Sequence, residues 1–164
     1  MGRSTRLAVV LAAALCLAGA GSTAALADDS GGTLLEFDSM TPVTGSAVGT
    51  VNDRGIKGGG LAWVISKGSG EVGRDGSVEV QVEGLVIPAK GDINPVATFG
   101  ATLSCLTPHG VMNVSTGQFP ASAAGDARIE DTVSVPHPCM DPILFVVGPA
   151  GQWFAMSNAE DEGE

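Results

Sequence analysis

Tyrosine is absent from the 164-residue chain, and tryptophan occurs only twice. That scarcity argues against a platform of exposed rings for stacking sugars, and it places Trp63 and Trp153, each beside apolar neighbours, in the expected core. Histidine occurs only at His109 and His137. A secreted hydrolase, one alternative reading, would have to recruit one of these with Ser104, Ser115 or Ser134, and no spacing favours such a set. The chain has no Gly-x-Ser-x-Gly, Ser-x-x-Lys, His-Glu-x-x-His or Gly-x-x-x-x-Gly-Lys motif and no EF-hand loop. Basic residues number 8 against 18 acidic ones, an imbalance that repels nucleic acid and anionic membrane surfaces.

What is present begins with a targeting pattern. Arg3 and Arg6 precede an apolar run from Leu7 to Ala18, and Ala25-Leu26-Ala27 is the small-x-small sequence at which signal peptidase cuts. The run is shorter than the ~20 apolar residues of a spanning helix, so residues 1–27 read as a removable signal peptide and not as a membrane anchor. Cleavage after Ala27 predicts a secreted chain with six basic against eighteen acidic residues, a net charge of −12. Residues 28–157 then form one expected domain, and residues 158–164 a polar, acidic, disordered tail.

Export decides how the cysteines read. Cys16 leaves with the signal peptide, and Cys105 and Cys139 remain as a pair in an oxidising compartment, the usual sign of one disulfide. The bystanders have ordinary roles on this reading. His109, between Pro108 and Gly110, sits in a turn, and Pro136 and Pro138 keep His137 in an extended segment.

A different reading comes from "TLSCLTPHGVM", which resembles the ligand loop of the cupredoxins, small blue-copper β-sandwiches. The resemblance implies Cys105, His109 and Met112 as copper ligands. The family's other histidine comes from an upstream strand, and this chain has none before His109, so His137 would have to serve. Cys139 has no place in such a site.

Hydrophobic periodicity predicts an all-β chain. "SVEVQVEGLVI" (77–87) alternates valine with polar residues, and Arg74-Asp75-Gly76-Ser77 before it is a hairpin turn signal. "DARIEDTVSV" (126–135) also alternates, except that Asp131 falls on the apolar side. A bulge turning it outward is the favoured account, and a buried functional carboxylate the alternative. Further short apolar runs begin at Thr33, Leu61, Val96, Val111, Ile143 and Gln152, each bounded by breakers. Together they predict an antiparallel β-sandwich of seven to eight strands with one disulfide. The Gly-rich stretch 44–61 reads as a long loop or a weak hairpin. Glu79 and Glu83 share one strand face, as a glycosidase pair would, but that is the solvated face, where acids serve solubility. Asn113-Val114-Ser115 matches a glycosylation sequon.

Over most of its length the chain resembles secreted proteins of high-GC Gram-positive bacteria that have no established activity. The likeness lies in "GLVIP", "NPVATFGATLSC", "GDARIEDTVSVPHPCMDPILFVV" and "QWFAMS". It implies export, one disulfide, a β-rich fold and a closing strand that contains tryptophan. The expected function is a small secreted, non-catalytic binding or structural module without a cofactor. Its partner would be an extracellular protein or a cell-wall component. The copper protein and the hydrolase are the alternatives.

Overall fold

The computed structural model describes residues 31–158. The signal segment with its cleavage site and, beyond Asn158, the acidic tail lie outside these residues. No helix among them is long and apolar enough to cross a membrane. The fold is all-β, with ten strands: β1 (Thr33–Phe37), β2 (Met40–Pro42), β3 (Lys67–Gly73), β4 (Ser77–Glu83), β5 (Thr98–Thr107), β6 (Gly110–Ser115), β7 (Phe119–Pro120), β8 (Ala127–Thr132), β9 (Met140–Val147) and β10 (Trp153–Ser157). They form two antiparallel sheets. One has the order β1-β3-β4-β8 and the other β2-β10-β9-β5-β6, with the short β7 beside the start of β5.

Alternation sorts the residues between core and solvent. Val78, Val80 and Val82 on β4 and Ile129 on β8 are buried, and they face Phe99, Ala101, Leu103, Leu144 and Val146 of the second sheet. Trp63 stacks on Phe154 with ring centroids 4.2 Å apart, and Phe99 meets both rings edge-on. The β3–β4 hairpin turns where the RDGS signal predicts. Gly76 takes φ 91°, and Asp75 Oδ1 accepts bonds from the N–H (3.0 Å) and hydroxyl (2.7 Å) of Ser77.

The strand count exceeds the expected seven to eight because three strands carry no apolar alternation. The most informative is β3, "KGSGEVG". Its core-facing positions include Gly68 and Gly70, and the space above them is filled by Met40 and Phe37 from neighbouring strands. A Cβ at Gly68 would lie 2.6 Å from Met40 Cγ, and one at Gly70 would lie 2.7 Å from Phe37 Cζ. The run from Leu61 is the converse case. It joins no strand and makes a single bridge, Val64 to Val86, while Trp63 dips into the core.

Asp131 is neither bulged nor buried. The β4–β8 register is unbroken through Val78↔Asp131, and Asp131 is exposed. Its carboxylate accepts bonds from the Gly117 N–H (2.8 Å) in the β6–β7 connection and from the Thr132 N–H (2.8 Å). The Gly117 N–H, followed by that of Thr132, holds its pKa below the ordinary aspartate value. A lowered folded pKa contributes stability above the unfolded value that is lost as pH falls through the folded one. Thermal melts from about pH 5 down to about pH 2 should therefore show a smaller acid loss for Asp131→Asn than for the wild type. Equal slopes would remove the carboxylate from the account.

The disulfide joins Cys105 in β5 to Cys139 just before β9, 34 residues apart. It ties two neighbouring strands at the end where the register slips, and Cys105 is fully buried. A loop of this length corresponds to about 4 kcal/mol on the chain-entropy model. Reduction, or the Cys105→Ala/Cys139→Ala pair, is expected to lower unfolding free energy by roughly that amount in urea titrations.

Candidate functional site

The second sheet buries its outward face as well as its inward one. Thr102, Ser104, Phe145 and Trp153 alternate with the core residues of β5, β9 and β10 and therefore point away from the first sheet, yet all four are buried. What covers them is the Gly-rich stretch, which is a hairpin. Val51 bridges Lys57, and the tip is organised by Asn52, whose Oδ1 accepts the N–H groups of Arg54 and Ile56 at 3.0 Å each. The base of the hairpin attaches beside β10, where Trp153 N–H donates to Lys57 O and Gly59 N–H to Trp153 O, both at 2.9 Å.

Arg54 pins the tip on the far side. Its side chain is 8% exposed and reaches the outward face of β5 and β9. One guanidinium nitrogen donates to Ser104 O (3.3 Å) and Oγ (3.4 Å), and the other to Asp141 O (2.9 Å) and the Asp141 carboxylate. Asp141 can meet it because β9 carries an extra residue there. The β5–β9 register slips between Ser104 and Leu106, and Asp141 takes φ 46°, the left-handed conformation that aspartate tolerates. Asn113 on β6 completes the clamp by donating Nδ2–H to Arg54 O at 2.8 Å.

Beside the pinned hairpin lies a groove of about 640 Å³. Its walls are the hairpin, the outward side chains Thr102, Asn113 and Ser115, and the β9–β10 turn at Ala150–Gln152. The side-chain polar groups are neutral hydroxyls and amides, apart from Lys57. Thr102 Oγ1 and Ser115 Oγ bond each other at 2.8 Å. Gln152 Oε1 is shielded from solvent and has no hydrogen-bond partner in the protein, and neither does the buried Nε1–H of Trp153 in the next residue. An unpaired buried polar atom costs about 1–3 kcal/mol. Gly60 also lines the groove with open space around its Cβ position and an ordinary φ, so neither packing nor turn geometry requires glycine there.

The other sheet presents a different surface. Register places Glu36, Glu71, Glu79 and Glu130 directly opposite one another across β1, β3, β4 and β8, all exposed. Like charges in such cross-strand positions are unfavourable. Thr33 Oγ1–H donates to Glu71 at 2.6 Å and Arg128 pairs with Glu130, so among the described residues Glu36, Glu71 and Glu79 have no ion-pair partner. Glu83 lies on the same strand face as Glu79, opposite Lys67. These carboxylates lie on the wet face that alternation predicts.

The sequence-predicted ligands are not gathered into one centre. Cys105 and Cys139 are bonded to each other, so the thiolate of the copper reading is committed. His109 is exposed in the β5–β6 turn, His137 is exposed in the segment before Cys139, and Met112 stands opposite Cys105 on β6, 47% exposed. Among the described residues, no three His, Cys, Asp or Glu side chains are placed to share a metal ion. Ser104 and Ser115 are bonded to Arg54 and Thr102, not to an imidazole. Both tryptophans are buried, as expected, but in separate layers. No protein family, curated protein or solved structure matches this chain.

Sequence reasoning passed over Arg54, Asp141 and Gln152. The available signal was a lone arginine at a turn within a glycine-rich stretch, in a chain with few bases. Replacing Arg54 with methionine should lower stability by about 1–3 kcal/mol, because the carbonyls of Ser104 and Asp141 lose their donor. Amide exchange should then speed up over residues 50–59 ahead of the sheets. Uniform acceleration would mean that the hairpin is not an independently pinned unit.

Proposed function

We propose that this protein is a small exported binding module without catalytic machinery, and that the groove beside the pinned hairpin takes a neutral, hydroxyl-rich ligand such as a saccharide stretch of the cell wall. The observation that carries the reading is the lining of the groove, whose polar side chains, apart from Lys57, are the hydroxyls of Thr102 and Ser115 and the amides of Asn113 and Gln152. Hydroxyl and amide side chains can both donate to and accept from a hydroxyl-rich ligand. Recognition then runs through hydrogen bonds in a cleft and needs no aromatic platform. Export is supported by the signal-like N-terminus and by the disulfide, which belongs to an oxidising compartment.

A second reading rests on the row Glu36, Glu71, Glu79 and Glu130. The row spans roughly 14 Å at the usual strand spacing and is complementary to an extended basic segment of an extracellular protein.

One experiment separates the two. Isolated cell-wall glycan should retain the protein equally at low and high salt, and Gln152→Ala should weaken retention by on the order of ten-fold. If the glycan fails to retain the protein, or retains the variant equally well, the groove reading is lost. The acidic-row reading predicts instead binding to a lysine-rich peptide that fades with salt and weakens in Glu71→Gln and Glu79→Gln but not in Asp53→Asn.

A further inference from the structure

The stretch that contained the supposed copper ligands has another property once folded. β6, Gly110–Ser115, is an edge strand: it pairs with β5 on one side, and among the described residues no backbone group pairs with its other side. Alternate residues of such a strand point N–H and C=O groups away from the sheet, a template for another extended chain.

The other three sheet edges are blunted in the ways that discourage such pairing. β2 is three residues long and ends in proline. β1 is interrupted by a register shift between Thr33 and Leu35 and carries Glu36. β8 carries Arg128, Glu130 and Asp131, and its start is bridged by Ala121. β6 alone is regular in register along its length and has no proline and no charged residue. Its exposed apolar side chains, Val111 at 41% and Met112 at 47%, lie on opposite faces of the strand.

We propose that β6 pairs antiparallel with β6 of a second copy about a two-fold axis normal to the sheet, joining the β2-β10-β9-β5-β6 sheets of both copies into one. The occupant must be an extended backbone, because unpaired amides and carbonyls are what the edge offers. A second copy fits it better than a charged strand does. The edge presents no charge to recognise, and self-pairing brings no carboxylate against another in a chain whose net charge is −10. Val111 and Met112 then gain apolar neighbours across the axis, and the contact is isologous. A perpendicular two-fold keeps both outward faces on the same side, so both grooves open in one direction. The pairing itself does not depend on what the groove binds.

Six residues of pairing make an interface at the small end of the range, so association is expected across the micromolar range and not below it. Sedimentation velocity of the oxidised full chain from about 1 µM to about 1 mM should show the mass rising from one chain to two. Amide protection should rise in parallel at residues 111–115. Val111→Lys with Met112→Lys, both at exposed positions, should weaken association by on the order of ten-fold or more, with the melting temperature unchanged. Glu71→Lys, on the other sheet, should leave it intact. A single-chain mass throughout the range would falsify the proposal. So would a dimer that the lysine pair leaves untouched, or one whose protection appears away from β6.

Discussion

A guanidinium buried on the outward face of a sheet holds the most unusual part of this molecule in place. Arg54 reaches across a glycine-rich hairpin to the backbone of two strands and to one carboxylate, and Asn113 holds the Arg54 carbonyl in turn. Burying a cation is costly unless its donors are met, and here carbonyl, hydroxyl and carboxylate oxygens meet them. The consequence reaches well beyond the tip. With the hairpin down, Trp153 and Phe145 pack edge to face at 5.7 Å in a second apolar layer outside the sandwich. The same placement makes one wall of the groove.

The two outer faces thereby acquire opposite characters. One is covered and cleft-like, carries the Arg54–Asp141 pair and, apart from Lys57, lines its groove with neutral polar side chains. The other is open and acidic, with carboxylates set side by side across all four strands. That arrangement works against the stability of the sheet, and burial of the core beneath it, Val72, Val78, Val80, Val82 and Ile129, offsets it. The disulfide acts at a third place, the end of the second sheet where β9 carries its extra residue and where Asp141 turns toward Arg54. Covalent staple, bulge and ion pair thus converge within a few residues of one strand end.

Much of the strand framework was legible because period-two alternation reports directly on a sheet with one wet face. β4 and β8 read correctly for that reason, as did the RDGS turn, and Cys105 with Cys139 was expected from compartment and count. β3 was invisible, since two of its three core positions, Gly68 and Gly70, are glycines whose space is occupied by Met40 and Phe37 from elsewhere in the chain. The run from Leu61 misled in the opposite way, because an apolar segment can be buried as an irregular plug as readily as a strand. Asp131 broke the pattern without any bulge, because its exposed carboxylate is met by the N–H groups of Gly117 and Thr132 while the register continues.

What the amino-acid order determined by itself was local and compositional. It set the all-β class, the hairpin at Arg74–Ser77, the wet and dry faces of the alternating strands and the pairing of two cysteines, since each follows from neighbours in sequence or from counts. What only the tertiary structure decided was which distant residues meet. Arg54 finds Ser104 and Asp141 across 50 and 87 positions, four glutamates from four strands fall into one row, and β6 is left at an edge. None of these has a local signature, because side-chain periodicity encodes which way a residue points but not which strand lies beside it.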